Sequence, residues 1–471
     1  MCLAGLLALG SAACDNILDD DDDETFRVRA VHLIPDVATL RVRLDETAIA
    51  SLGRLQGSSF TTAAPRNYVL HLEVPRPARL PGGDEEEEDE DPYIPIGDPR
   101  PHTFLNGVDY TLIVYGSFQE PEILALEGTA EDGQAPENRI IWRIVHAAPS
   151  LPAVDVYLTA PEAGIASPQL VRTLSHTEAI EPQELTIADE DDSFVDLTIT
   201  LRARDTGELL YTSTQSRVSE RERALFIITD NDGVGPSPAR LVRISMGGSA
   251  SAIFDVDERA EVRFVHVSPD TPALDIHILP GQSTPLAQNI AFRGSSDYRA
   301  VAPGEVNLIG VQSDNVGVFV LLEEFGATVS QSYTSYAVGP FSQVDSIVLG
   351  DDRRPTRAQT RFRFLHAASE LLAGDRLDIY LTRRGEPLVF GDEEGEDDPV
   401  PRFSSVAYRT ATEYVPFEAG EYDVYVTEED SETISVGPIP IQTIEGSSHT
   451  LVLTHSEDGQ VELIPIEDTR P

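Results

Sequence analysis

Glu261–Ile278 reads EVRFVHVSPDTPALDIHI, the fullest of four copies of one pattern in this 471-residue chain. Aligned on their histidines, the copies are RAVH at Arg29–His32, RIVH at Arg143–His146, RFVH at Arg263–His266 and RFLH at Arg363–His366. Nine residues after the histidine stand Asp155 and Asp275 in the second and third copies. The fourth carries Asp378 twelve residues on, and the first has Arg41 at that place. The histidines lie 114, 120 and 100 residues apart. Solenoid repeats have periods of roughly 20–50 residues. A domain-sized period means tandem domains, each with its own core.

Each copy predicts two strands joined by a tight turn. Val262, Phe264 and His266 share one parity; Leu274, Ile276 and Ile278 share another, with Asp275 and His277 between them. Alternation of this kind marks half-buried strands, because successive side chains point to opposite faces. The second strand keeps it in every copy: Leu40, Val42, Leu44; Val154, Val156, Leu158; Leu377, Ile379, Leu381. Ser268–Pro272, with two prolines, an Asp and a Thr, is expected to turn. The histidine has core parity and is expected to be partly buried and bonded to the turn backbone. A ligand or general-base role requires a nucleophile, a second histidine or a carboxylate pair nearby, and no such partner recurs. The arginine three residues earlier has the opposite parity. It is expected on the solvent side or strand edge, pairing with an acid.

The pattern resembles a bacterial family known only as the domain of unknown function, family 4397. Units of that family look like RFVHASPDAPAVDVYV near the start and YTLVAVG near the end. Here the nearest openings are Arg143–Leu158, RIVHAAPSLPAVDVYL, and RFVHVSPDTPALDIHI; the nearest endings are Tyr110–Gly116, YTLIVYG, and Tyr333–Gly339, YTSYAVG. His449–Thr454, HTLVLT, is a weaker echo, the first unit lacks the D-x-[YH] element, and the fourth lacks the turn proline at Ala368–Glu370. The resemblance reaches most of the chain after Phe26. It implies exported β-sandwich domains in tandem and no known activity.

The expected organisation is a signal peptide at 1–13, a lipidated Cys14 with a polar tether to residue 24, and four β-sandwich units. These span 25–135 with an acidic loop at 81–100, 136–258, 259–354, and 355–471 with an acidic loop at 391–399. Met1–Ala13 is apolar, ends in small residues and is too short to span a bilayer, which takes about 20 apolar residues. Ser11–Cys14 is similar to a bacterial lipoprotein cleavage box, although Ser11 stands where leucine is usual and no basic residue precedes the apolar run. The chain has two cysteines, Cys2 and Cys14, so cleavage leaves one at the first mature position, where acylation accounts for it. Anchoring to the cell envelope, at the outer membrane or cell surface, follows as an expectation.

The formal net charge is −47 and every basic residue is arginine. Lysine chemistry of the Schiff-base and phosphate-loop kinds is excluded. Affinity for nucleic acid is disfavoured, because it rests on cationic neutralisation of phosphates. The acidic loops are expected to solvate the protein, with at most weak divalent-cation binding, since runs of Asp and Glu do not define a coordination shell. No cofactor is expected. The chain contains no G-x-S-x-G, H-E-x-x-H, C-x-x-C or G-x-G-x-x-G. The Asp205–Gly207 triplet and Ser313–Asn315 are read as hairpin turns, Asp230–Gly233 as a turn, and Pro75–Pro101 as one long acidic hairpin loop; Trp142 is read as packing. The sequence therefore points to an all-β protein of four tandem immunoglobulin-like antiparallel sandwiches. Its expected role is a non-enzymatic binding, adhesion or display module with an extracellular or periplasmic protein or glycan as partner. Two alternatives stay open. One is an envelope hydrolase with Ser, His and acid converging in a diverged unit. The other is a capture component using an exposed aromatic row, for which Tyr298, Tyr333 and Tyr336 are the hint.

Overall fold

The computed structural model of the chain describes residues 24–78, 91–129, 134–188, 193–279, 285–368, 376–390 and 399–470. The expected signal segment, Cys14, most of the tether, the first half of the acidic loop at 81–100, most of that at 391–399 and the turn at Ser369–Glu370 lie outside the described residues. What is described is all-β: eight sheets in four pairs, each pair enclosing one apolar core. Among the described residues the helical content is two single turns, Pro161–Ala163 and Phe341–Gln343.

The repeated motif opens every unit. Its first strand is Phe26–His32, Arg139–His146, Ala260–His266 or Thr360–His366. The chain then turns and enters the facing sheet as Thr39–Leu44, Val154–Ala160, Leu274–Leu279 or Leu377–Arg383. The expected hairpins form: Phe194–Ala203 pairs with Leu209–Thr212 around Asp205–Gly207, and Gly304–Gln312 pairs with Asn315–Ala327. One stretch departs from expectation. After Pro75 the chain was expected to loop as far as Pro101, yet Tyr93–Pro95 and Arg100–Thr103 both pair with Asn67–Pro75, and Ile96 enters the core. Its isoleucine among prolines and acids gave too short an apolar signal to read as sheet.

The sheets are mixed. The opening strand lies parallel to a late strand of the same unit: Val108–Gly116, Arg223–Asp230, Ser332–Val338 or Ser448–His455. Parallel neighbours need a long crossover, and here the whole second sheet supplies it. The parallel pair occupies the middle of its sheet and is covered on both faces. One face carries core residues such as Val262 and Phe264. The other carries Val31, Val145, Val265 and Leu365, and packs against the next unit. The first and second units meet through Val31, Ile113, Tyr115, Val145, Ile227 and Val242. The third and fourth meet through Val265, Tyr336, Val338, Leu365 and Val452. Parallel strands buried on both sides read as unbroken apolar runs, which explains Phe264–Val265 and Phe364–Leu365 side by side.

This packing overturns the expectation for the motif arginines. They share the parity of the inter-unit face: Arg29 is 7% exposed there, Arg263 5% and Arg363 4%, while Arg143 is half-buried. Between the third and fourth units they are exchanged. Arg263 donates to Asp468 and to the Glu467 carbonyl at 2.6 Å; Arg363 donates to Asp351 at 2.5 Å and to the Gly350 carbonyl at 2.7 Å. Each Nε binds the threonine opposite it in the parallel register, Thr334 or Thr450. Each aspartate also accepts from that threonine and from a tyrosine of its own unit: Thr334 and Tyr298 for Asp351, Thr450 and Tyr414 for Asp468. The Arg263 guanidinium lies 4.6 Å from the ring of Tyr298, and that of Arg363 4.6 Å from the ring of Tyr414. The two halves are related as by a two-fold axis, each guanidinium meeting a carboxylate, a carbonyl and a threonine, while the buried Tyr336 hydroxyl in the same face has no partner among the described residues.

Removing one member leaves a buried charge alone, which costs about 3–5 kcal/mol. Asp468→Ala and Asp351→Ala are each expected to lower unfolding free energy by about that amount in urea titrations. Met246→Ala, in the partly exposed equivalent position between the first two units, is expected to stay within about 1 kcal/mol. Equal effects at all three positions would remove the network from its structural role.

Candidate ligand-binding cavity

All four units contribute to one cavity of about 750 Å³. Arg54 reaches it from just beyond the strand Thr47–Gly53 of the first unit, and Asp232 and Arg240 from the second. Arg353 and Arg354 come from the connection after the third unit, and Arg470 from the end of the fourth. Asp36, Asp352 and Phe254 complete the wall used below.

The charges are paired across units. Arg54 meets Asp232 at 2.5 Å, and Asp232 also takes Arg240 at 3.3 Å. Arg240 reaches Glu258 at 2.6 Å; Arg353 and Arg470 converge on Glu261 at 2.6 and 3.2 Å. Asp352 holds Arg354 at 2.8 Å and Arg361 at 2.5 Å. Arg470 further donates to the backbone carbonyls of Asp232 and Gly233, so the fourth unit is tied to the second. Burial pushes Arg54 down to about 10, partly offset by Asp232. Burial raises Glu261, but hydrogen bonds from Ser332 and Arg353 outweigh it and hold the carboxyl below its ordinary range. Even so the wall is not saturated. The buried Nε of Arg54, Arg240 and Arg353 and Oδ2 of Asp232 have no partner among the described residues. Buried polar atoms are nearly always bonded, so these four are unsatisfied points enclosed behind the wall, and what faces the cavity is the arginine and aspartate side chains themselves.

The sequence-selected residues lie elsewhere. All four motif histidines are fully buried. His32, His146 and His266 donate through Nε2 to turn carbonyls, of Val37 at 3.1 Å, Pro152 at 3.1 Å and Pro272 at 3.3 Å. In the second and third units Nδ1 accepts from the backbone N–H two residues on, which fixes a neutral tautomer. In these three units the bonding to turn backbone is as the parity reading expects, although burial is complete rather than partial; neither ring nitrogen of His366 has a partner among the described residues. The motif aspartates staple the second strand to its edge neighbour. Asp275 accepts from the N–H of Asn289 and the Ser313 hydroxyl, both at 2.7 Å; Asp378 accepts from Ser405 N–H at 2.8 Å. Both sit where the register shifts at a bulge, and Asn289 and Ser405 have positive φ. Asp155 takes Thr173 and Arg204. Arg41 instead pairs with Glu73 at 3.4 Å and covers Tyr93.

Other chemistry is sparse. Among the described residues no group of three or more metal-ligating side chains converges. A serine–histidine contact occurs in the fourth unit, His449 to Ser447 at 3.0 Å, but the buried serine gives its proton to the Ile444 carbonyl. The three tyrosines form no exposed row: Tyr336 is fully buried in the inter-unit face and Tyr298 binds Asp351. Asp232, read from sequence as part of a turn, is the residue whose role was missed. Nothing in the turn itself marks it: its shorter ion pair is to Arg54 of the first unit, and Arg240 of its own unit adds a longer one.

Fold and motif together define a tandem β-sandwich protein of the repeat type. Residues 260–380 and 390–471 match the Domain of unknown function (DUF4397) in two adjacent copies. No curated protein matches the chain. Among solved structures, the Bacillus anthracis TIE protein aligns at 10% identity over 88% of this chain and 66% of its own length, just under two thirds, with a TM-score of 0.16. A candidate adhesin from Bacteroides ovatus aligns at 9% identity over 52% of this chain and 100% of its own, also with a TM-score of 0.16. At such TM-scores neither likeness bears on function.

Burial sets a pH dependence. It pushes His32 down to about 3 and His366 to about 4, and lowers His146 and His266 as well. Unfolded histidine takes a proton near pH 6.5. Between there and the folded values the unfolded chain holds more protons, so stability falls as pH drops through this window, by about 1.4 kcal/mol per pH unit for each histidine. Urea titrations at pH 7 and 5 are expected to show this loss, and His366→Gln is expected to reduce it by one histidine's share.

Proposed function

We propose that this protein is a non-enzymatic, surface-binding module of the bacterial cell envelope, tethered by lipid at Cys14, and that the central cavity captures a glycan. The observation that carries the ligand class is the wall itself. Five arginines (Arg54, Arg240, Arg353, Arg354 and Arg470) and four aspartates (Asp36, Asp232, Asp351 and Asp352) line it in near balance. Sugar hydroxyls donate and accept at once, so they suit such a wall better than a simple ion of either sign. Half-buried Phe254, with the Arg240 guanidinium 5.4 Å from its ring, offers an apolar face for a pyranose ring. Concave sites with a few convergent polar groups are the usual form of small-ligand sites.

The alternating arms of the test separate ligand from anchor. Purified chain lacking residues 1–23, screened by calorimetry against neutral and acidic oligosaccharides, is expected to bind at least one. Phe254→Ala is expected to weaken that binding tenfold or more without changing the circular dichroism spectrum. Binding unaffected by Phe254→Ala would move the site away from this cavity. Mass spectrometry of the mature protein is expected to find a diacylglyceryl thioether on Cys14; an unmodified thiol there ends the tether.

A further inference from the structure

The two inter-unit faces are built on one plan, and only one is complete. Between the first two units Arg29 repeats the plan atom for atom. Its Nε donates to Thr111 at 3.0 Å and its NH1 to the Ser245 carbonyl at 2.7 Å. Arg143 reaches back and donates to the Glu127 carbonyl at 2.5 Å. In the third and fourth units the residue after that carbonyl is Asp468 or Asp351. In the first two it is Met246 or Gly128. Strand register gives the same equivalence: Leu126 faces Thr111 and Ile244 faces Leu225, as Leu349 faces Thr334 and Ile466 faces Thr450. The ring beside Arg29 is Phe60, 4.6 Å away, where the other interface has tyrosines whose hydroxyls bind the acids.

Both acids of the plan are therefore missing, and both arginines remain. Among the described residues neither Arg29 nor Arg143 has a carboxylate within ion-pair distance, and the nearby Asp109 is held by Arg27 at 2.5 and 2.7 Å. Burial pushes Arg29 down to about 10 and lowers Arg143. A cavity of about 230 Å³ opens at this place, lined by Arg29, Arg143, Thr111, Gly128, Phe60 and Met246. Trp142, whose buried indole N–H has no acceptor among the described residues, is also part of its wall. A desolvated guanidinium without an anion is costly, and a charge-assisted carboxylate pair is the strong way to satisfy it.

We infer that the cavity between the first two sandwiches is a binding site for a small organic carboxylate, whose acid group takes the place that Asp351 and Asp468 fill in the other interface. The apolar side chains of Phe60 and Met246 favour a short hydrocarbon body on the ligand over a bare inorganic anion. This site is separate from the central cavity, and neither proposal rests on the other.

The test uses the site's own missing residue. A Cβ on Gly128 would meet nothing closer than 3.7 Å, so Gly128→Asp fits and supplies the acid to Arg143 from within. Wild-type protein titrated with benzoate or butyrate, against chloride and sulfate at equal ionic strength, is expected to show a carboxylate-specific rise in melting temperature and saturable calorimetric binding. Gly128→Asp is expected to melt higher than wild type without ligand and to bind the carboxylate at least tenfold more weakly. Thr111→Val, which leaves both arginines in place, is expected to weaken binding severalfold and so reads the site independently. No carboxylate binding by the wild type, equal stabilisation by sulfate, or unchanged binding in Gly128→Asp would overturn the inference.

Discussion

The constraint on which the structure depends is a sheet with two dry faces. The opening strand and its parallel partner lie between a sandwich core on one side and a neighbouring unit on the other. In the third and fourth units every side chain on that strand is consequently withdrawn from water, including the motif arginine. A buried guanidinium is tolerated only with a counter-charge and filled hydrogen-bonding positions. The exchange of Arg263 for Asp468 and of Arg363 for Asp351 provides both, and it makes each unit's stability conditional on the other.

The same constraint distinguishes the two halves of the chain. The third and fourth units satisfy their arginines internally and also carry the two family matches. The first and second units keep the arginines, the apolar face and the carbonyl acceptors, but not the acids. Loss of both acids at related positions removes the same chemical group twice. The central cavity has a different origin: it lies where charged loops of four units meet, and its ion pairs cross between units. Neither cavity is made within a single sandwich.

Much of the fold was legible. Period-two alternation at Leu274–Ile278 and its three counterparts marked the second strands, and turn residues marked the hairpins at Asp205–Gly207 and Ser313–Asn315. The histidine's bond to the turn also followed from parity and the prolines beside it. The arginine was misread because parity reports only which face of a strand a residue takes. It does not report what covers that face. The signal was present in Val265 and Leu365, apolar residues on the supposed solvent side.

By itself, the sequence determined what depends on neighbours along the chain: strand alternation, turn chemistry, the repeat and its domain-sized period. Those are short-range properties of backbone and side-chain direction. Only the tertiary structure decided which sheets pair face to face, that Arg263 finds its acid 205 residues away at Asp468, and which loops close around a cavity. Such contacts arise from surface complementarity between folded units, and a linear pattern holds no record of distance through space.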